Sequence, residues 1–176
     1  MKFEKVLRDI EKLIGKPLRS ISNGSKIFIE HVSWGHERIE IRNAIGKPRS
    51  RPFSEIARLL EKLVSQPAIH VDSVLGGSGS SRNQPETILA NLPYVEFLYF
   101  EGRKHIAIVN GNSHELGTIR QMDPVASEEV KHQLKSGSQD EVRDSVLVVT
   151  EDVRATTLMF EPFVGGPIKS LGPGIY

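Results

Sequence analysis

Cysteine is absent from the 176 residues. That excludes a disulfide scaffold, a thiolate nucleophile and a zinc site built on sulfur, and it fits a reducing compartment. No apolar run approaches the roughly 18 residues a membrane helix needs. The N-terminal Met1-Lys2-Phe3-Glu4-Lys5 lacks the apolar stretch of a secretory leader. The expectation is a soluble, cytoplasmic protein with no membrane partner. Neither sign of charge dominates, with 23 Lys and Arg against 22 Asp and Glu. A histone-like, uniformly basic binder is therefore excluded, while a local basic face stays open. Several chemical motifs are missing too. There is no His-Glu-x-x-His or His-x-His spacing, no P-loop and no Gly-x-Ser-x-Gly elbow. Gly76-Gly77-Ser78-Gly79 does not follow a hydrophobic strand into a βαβ unit, so it is a poor dinucleotide loop. Neither a metal nor a cofactor is expected, and no internal repeat of useful length occurs.

Hydrophobic residues make up 38% and charged residues 26%, enough for a core in one ordinary domain or two very small ones. Phe3, Val6, Leu7, Ile10, Leu13 and Ile14 have helical spacing, ended by Gly15 and Pro17. Lys26–Val32 and Glu37–Arg42 alternate around Ser33-Trp34-Gly35-His36 and predict a β-hairpin. Residues 43–52 read as loop. Ile56, Leu59, Leu60, Leu63 and Val64 predict a helix over 53–65, stopped by Pro67. Ile69–Val71 reads as extended, and 72–75 as one helical turn with Asp72 as its cap. After a Gly/Ser turn, Asn83 and Glu86 have the spacing of a capping box, Ile88, Leu89 and Leu92 form a buried stripe, and Pro93 ends the helix. A turn centred on Glu101-Gly102 pairs Phe97 with Ile106 and Val95 with Ile108. A short helix is expected at 124–135, a link at 136–139, strands at 146–150 and 155–160, and a Gly/Pro-rich tail from Pro162.

Ser54–Ser65, Asp72–Leu75, Gln84–Leu92 and Val95–Val109 thus run helix, short helix, polar-faced helix and hairpin. This order, over about residues 52–109, resembles the winged-helix form of the helix-turn-helix domain. The resemblance covers roughly a third of the chain and is architectural, without a signature motif. It implies an α+β protein with a central winged-helix unit, flanked by an N-terminal helix with its β-hairpin and by a C-terminal β-hairpin. The corresponding segments are 1–46, 47–109 and 110–176, or one compact domain overall.

A winged helix implies double-stranded DNA as partner and sequence-selective binding without chemistry of its own, as a transcription regulator or the recognition subunit of a larger DNA-processing assembly. A major groove admits a helix, and a helix N-terminus offers free N–H groups to phosphate. Ser81, Arg82, Asn83 and Gln84 open the third helix, and Thr87 and Asn91 are expected on its outward face. Amide and guanidinium groups of this kind pair bidentately with adenine and guanine. Arg103, Lys104 and His105 sit at the wing tip. Arg42, Lys47, Arg49 and Arg51 lie in a stretch without an acidic residue, expected as a flexible arm whose Arg49 and Arg51 reach phosphate. A homodimer would double the contacts. Two other functions compete. A metal-dependent nuclease would use Glu96, Glu101 and Lys104, although Glu96 faces away from Lys104 in this register. A winged-helix adaptor would bind protein and never touch DNA.

Overall fold

Helix α1 (Phe3–Glu11) buries Val6, Leu7 and Ile10 on one stripe and leaves its charged residues outward. In this computed structural model, described over residues 2–76 and 83–137, the helix ends three residues before the expected Ile14. The chain leaves through tight turns, and Gly15 takes a positive φ of 78° while its N–H donates to the carbonyl of Ile29. The exit of α1 is thereby tied to the sheet that follows.

That sheet is a four-stranded antiparallel meander, β1 (Pro17–Arg19), β2 (Lys26–Ser33), β3 (Arg38–Asn43) and β4 (Pro48–Pro52), in spatial order β1-β2-β3-β4. The hairpin expected from alternation is β2–β3. Its register shifts between Ile29 and His31, a bulge that turns Val32 rather than His31 back to the buried face already occupied by Ile27 and Ile29.

The stretch 43–52 is not the loop and flexible arm expected from sequence. Its second half is β4, with Arg49 opposite Ile41 and Arg51 opposite Ile39. Pro-Arg-Ser-Arg-Pro carries no hydrophobic alternation, so its strand character comes from the open edge of β3. Prolines at both ends suit an edge strand, which needs few donors. Of the four basic residues expected in the arm, Arg42 and Arg51 are engaged within the fold. Arg42 stacks 4.2 Å over the Phe28 ring and pairs with Glu30 at 3.1 Å. Arg51 forks onto Glu55 with both Nε and Nη2.

Helix α2 (Phe53–Ser65) has the expected bounds and buries Phe53, Ile56, Leu59, Leu60 and Leu63. Each such burial stabilises the fold by about 1.5–3 kcal/mol. Ile69 then exchanges two backbone hydrogen bonds of 2.9 Å with Ile106. Helix α3 (Val71–Leu75) starts one residue before the expected Asp72, and the residue at its cap position is His70, without a side-chain capping bond. Helix α4 (Asn83–Ala90) leads into the hairpin β5 (Val95–Phe100) and β6 (Arg103–Ile108). The register is the expected one, Phe97 opposite Ile106 and Val95 opposite Ile108. Helix α5 covers 124–137, against an expected 124–135.

The main core is continuous from Val6 through Ile41, Leu59 and Leu89 to Ile106, so the segments 1–46 and 47–109 share it. A smaller cluster joins Leu98 and Ala107 of the second hairpin to Ala68 and Met122, with Val130 and Leu134 of α5 against it. The compact unit built this way spans Met1–Ser136. The fold class is α+β, as expected. The strand candidates at 146–150 and 155–160, the tail, and residues 138–139 of the expected link lie outside the described residues.

The β5–β6 turn has positive φ at both central residues, 49° at Glu101 and 72° at Gly102. This is the type I′ geometry, in which Asn-Gly is favoured and a Glu side chain is strained. Glu101→Asn is therefore expected to stabilise the protein by about 0.5–1 kcal/mol. Thermal unfolding at neutral pH measures it, and an unchanged or lower midpoint would contradict the strain assigned to Glu101.

Candidate functional site

Helix α4 was expected to show a polar face to solvent. Instead Pro85 through Ala90 are all buried. Thr87 is 1% exposed and Asn91 0%. Asn91 Nδ2 donates to the carbonyl of Arg19 in β1 at 3.0 Å and to that of Thr87 at 2.7 Å. The Thr87 hydroxyl donates to the carbonyl of Asn83. Ile88, Leu89 and Leu92 do face the core as the stripe predicts. The opposite face is covered by the N-terminal sheet, which the amphipathic pattern of α4 could not announce. Asn91 is thus a joint between α4 and β1, and the Thr87 hydroxyl is spent on its own helix, so neither stands on an outward face.

The residues expected at a wing tip also divide. Arg103 is exposed at the tip, as expected. Lys104 turns inward, and its Nζ donates to Glu86 Oε2 at 2.6 Å and to Asn83 Oδ1 at 3.3 Å. Glu86 is 3% exposed. Its carboxylate is committed to Lys104, in place of the reciprocal capping bond expected from the Asn83/Glu86 spacing. Burial pushes the Glu86 carboxyl above its ordinary range, while the Lys104 ammonium pulls it back. His105 is half-buried, with its ring 5.6 Å from His70 and 5.7 Å from Phe100. Burial lowers its pKa below the ordinary imidazole value. The shift favours the neutral ring. Ser81 and Arg82 lie outside the described residues.

Asn83 and Gln84, the first two residues of α4, line a cleft of about 380 Å³. Its other walls are the β1–β2 turn with Ser20, Asn23 and Ser25, the start of β2 with Lys26 and Ile27, the β3–β4 turn with Asn43, Ala44 and Ile45, Arg49 on β4, and Thr87. In a meander the first and third turns fall at the same end of the sheet, which is why both reach α4. Among the described residues the lining holds two cations, Lys26 and Arg49, and no carboxylate. The positive end of the α4 dipole adds to that sign. Three side-chain oxygens here are shut off from solvent without a hydrogen-bond partner among the described residues: Ser20 Oγ and Gln84 Oε1 in the lining, and Asn91 Oδ1 beside it. Buried polar groups nearly always have a partner, so three orphans in one neighbourhood leave hydrogen-bonding capacity there unmet.

Of the residues proposed from sequence, the structure brings Arg49, Asn83, Gln84 and Thr87 to this cleft. Arg51 is held away by Glu55, and Asn91 lies beneath. Sequence reasoning missed Ser20, Asn23, Lys26 and Asn43. Their signal was present as two turns without an acidic residue, Ser20–Ser25 with three serines and an Asn, and Asn43–Gly46 with a single Asn. Only the fourth strand makes them neighbours.

The residues named for a nuclease are not gathered. Glu96 pairs with Arg120 at 3.4 Å, Lys104 with Glu86, and Glu101 stands in the exposed turn. Among the described residues no group of three or more His, Asp and Glu is placed to hold a metal ion. None of the helices among them is long and apolar enough to cross a membrane. No protein-family model matches the chain, and no curated protein or solved structure is significantly similar to it.

Proposed function

We propose that this protein binds double-stranded DNA sequence-selectively, with α2, α3, α4 and the β5–β6 hairpin forming a winged-helix unit. It would serve as a transcription regulator or as the recognition subunit of a DNA-processing assembly. The element order supports the winged-helix arrangement, as does the short bridge of Ile69 to the second wing strand. The contact surface, however, is not the face of α4. It is the cleft at the start of that helix together with the exposed wing tip at Arg103. The Lys104–Asn83 hydrogen bond brings the turn end of the hairpin next to the cleft lining, which supports a shared surface.

The observation that carries this reading is the cleft's composition: two cations, four amide side chains and no carboxylate. Phosphates are attracted to such a surface, and the amides can both donate to and accept from base edges. Phosphate contact makes affinity depend on salt, with a slope of about 0.9 per neutralised phosphate on a log–log plot. Lys26→Ala combined with Arg49→Ala should weaken duplex binding by roughly tenfold or more near 0.1 M salt and lower that slope by about two. Fluorescence anisotropy of a labelled duplex across a salt series measures both. An unchanged slope in the double variant removes the cleft from the DNA face. Absence of any salt-dependent binding by the unaltered protein leaves the protein-adaptor reading in its place.

A further inference from the structure

We propose that the cleft at the start of α4 takes one unstacked nucleotide, with its base among the amides and its phosphate on Arg49. This inference rests on the DNA-binding reading above and names what enters the site. Shape is the first reason. Groove reading needs a protruding element, whereas this surface is concave, and its volume of about 380 Å³ suits a small molecule far better than a duplex.

The polar groups provide the second reason. Asn43 Oδ1 already accepts from the Lys47 N–H, and Asn83 Oδ1 from Lys104 Nζ. Their amide nitrogens are thereby assigned as donors to whatever enters. Gln84 Oε1, buried and without a partner among the described residues, is an acceptor. Two donors and an acceptor around one cleft match the Watson–Crick edge of a base, which always presents both kinds of group. A simple inorganic anion would leave the Gln84 oxygen unsatisfied, since it brings no donor.

Ile45 supplies the third reason. It stands 85% exposed on the β3–β4 turn, in the cleft lining. An apolar side chain at this position can wedge into a base step and hold a neighbouring nucleotide out of the stack. A mismatched nucleotide costs least to extrude, so the site should favour DNA carrying one.

The test uses the full chain and three probes: a matched duplex, the same duplex with one mismatched pair, and a deoxymononucleotide. The mismatched duplex is expected to bind roughly tenfold more tightly than the matched one. Gln84→Leu should bring its affinity down to that of the matched duplex, whereas Arg49→Ala should weaken both duplexes in parallel. A urea midpoint for each variant checks that it is folded, and Arg49 is exposed enough for its truncation to be tolerated. Equal binding of the two duplexes, or a preference that survives Gln84→Leu, overturns the nucleotide assignment while DNA binding stands. If neither duplex binds but the mononucleotide does, and Gln84→Leu weakens it, the nucleotide assignment holds with a free nucleotide as its source and the DNA reading fails. If none of the three probes binds, both are overturned.

Discussion

Replacing Lys104 by methionine will destabilise the fold by about 3 kcal/mol at pH 7, the lower end of the cost of stripping a buried carboxylate of its cation. The lower end applies because the Lys104 side chain keeps 18% of its exposure, while that of Glu86 keeps 4%. Methionine preserves the apolar stem and removes the charge, so packing contributes little to the loss. The pH dependence has a definite sign. Burial holds the Glu86 pKa above its unfolded value of 4.5. Removing Lys104 raises it further, because the attraction that favoured the carboxylate is gone. An acid whose folded pKa is raised stabilises the fold fully below its unfolded pKa, and that stability is lost as pH rises through the folded value. The deficit of Lys104→Met should therefore be small near pH 4.5 and grow toward neutrality. Glu86→Gln combined with Lys104→Met should recover most of it, since no charge is then left buried. Urea unfolding at several pH values, completed as a double-mutant cycle, measures each step. A loss below about 1 kcal/mol at pH 7 would show that the pair is solvated and does not join α4 to the β5–β6 hairpin.

Asn91→Asp is expected to be the most damaging isosteric change in the chain, at about 4 kcal/mol near pH 7. Asn91 is 0% exposed, and its Nδ2 donates to the carbonyls of Arg19 and Thr87. The change turns two attractive contacts into acceptor facing acceptor and buries a charge with no cation bonded to it. The new carboxyl will have a folded pKa well above the ordinary Asp value of about 3.9. The loss should accordingly shrink as pH falls toward 4, when the protonated acid can donate to one of the two carbonyls. Denaturant midpoints at pH 7 and pH 4 give the comparison. On an outward recognition face the same substitution would cost only tenths of a kcal/mol. A near-neutral result would therefore place α4 at the surface and return Thr87 and Asn91 to the groove.

The legible parts of this protein share a cause. The core face of β2–β3, helix α2 over 53–65 and the pairing of Phe97 with Ile106 all announce themselves because one side of each element is apolar and the other polar. Local periodicity then fixes both the element and its register. The β5–β6 turn was legible for the same reason, since Glu101-Gly102 sits at the one position that keeps the apolar sets aligned. Of the candidate site, Arg49, Asn83 and Gln84 were found because residue chemistry alone singles them out.

Failures fall where an element is defined by its neighbours. Strand β4 has no apolar residue, and its identity comes from the hydrogen bonds that the open edge of β3 offers. Helix α4 has one apolar stripe but is covered on both sides, because the Thr87 hydroxyl and the Asn91 Nδ2 donate to backbone carbonyls, that of Arg19 in β1 among them. Lys104 and Glu86 read as a wing cation and a capping acid, yet they meet 18 residues apart in sequence. Amino-acid order determined the helices, the hairpins and the acid-free turns, since each depends on contacts a few residues apart. Tertiary structure alone decided which polar side chains reach the cleft and which are sealed inside, because burial is set by what packs on top.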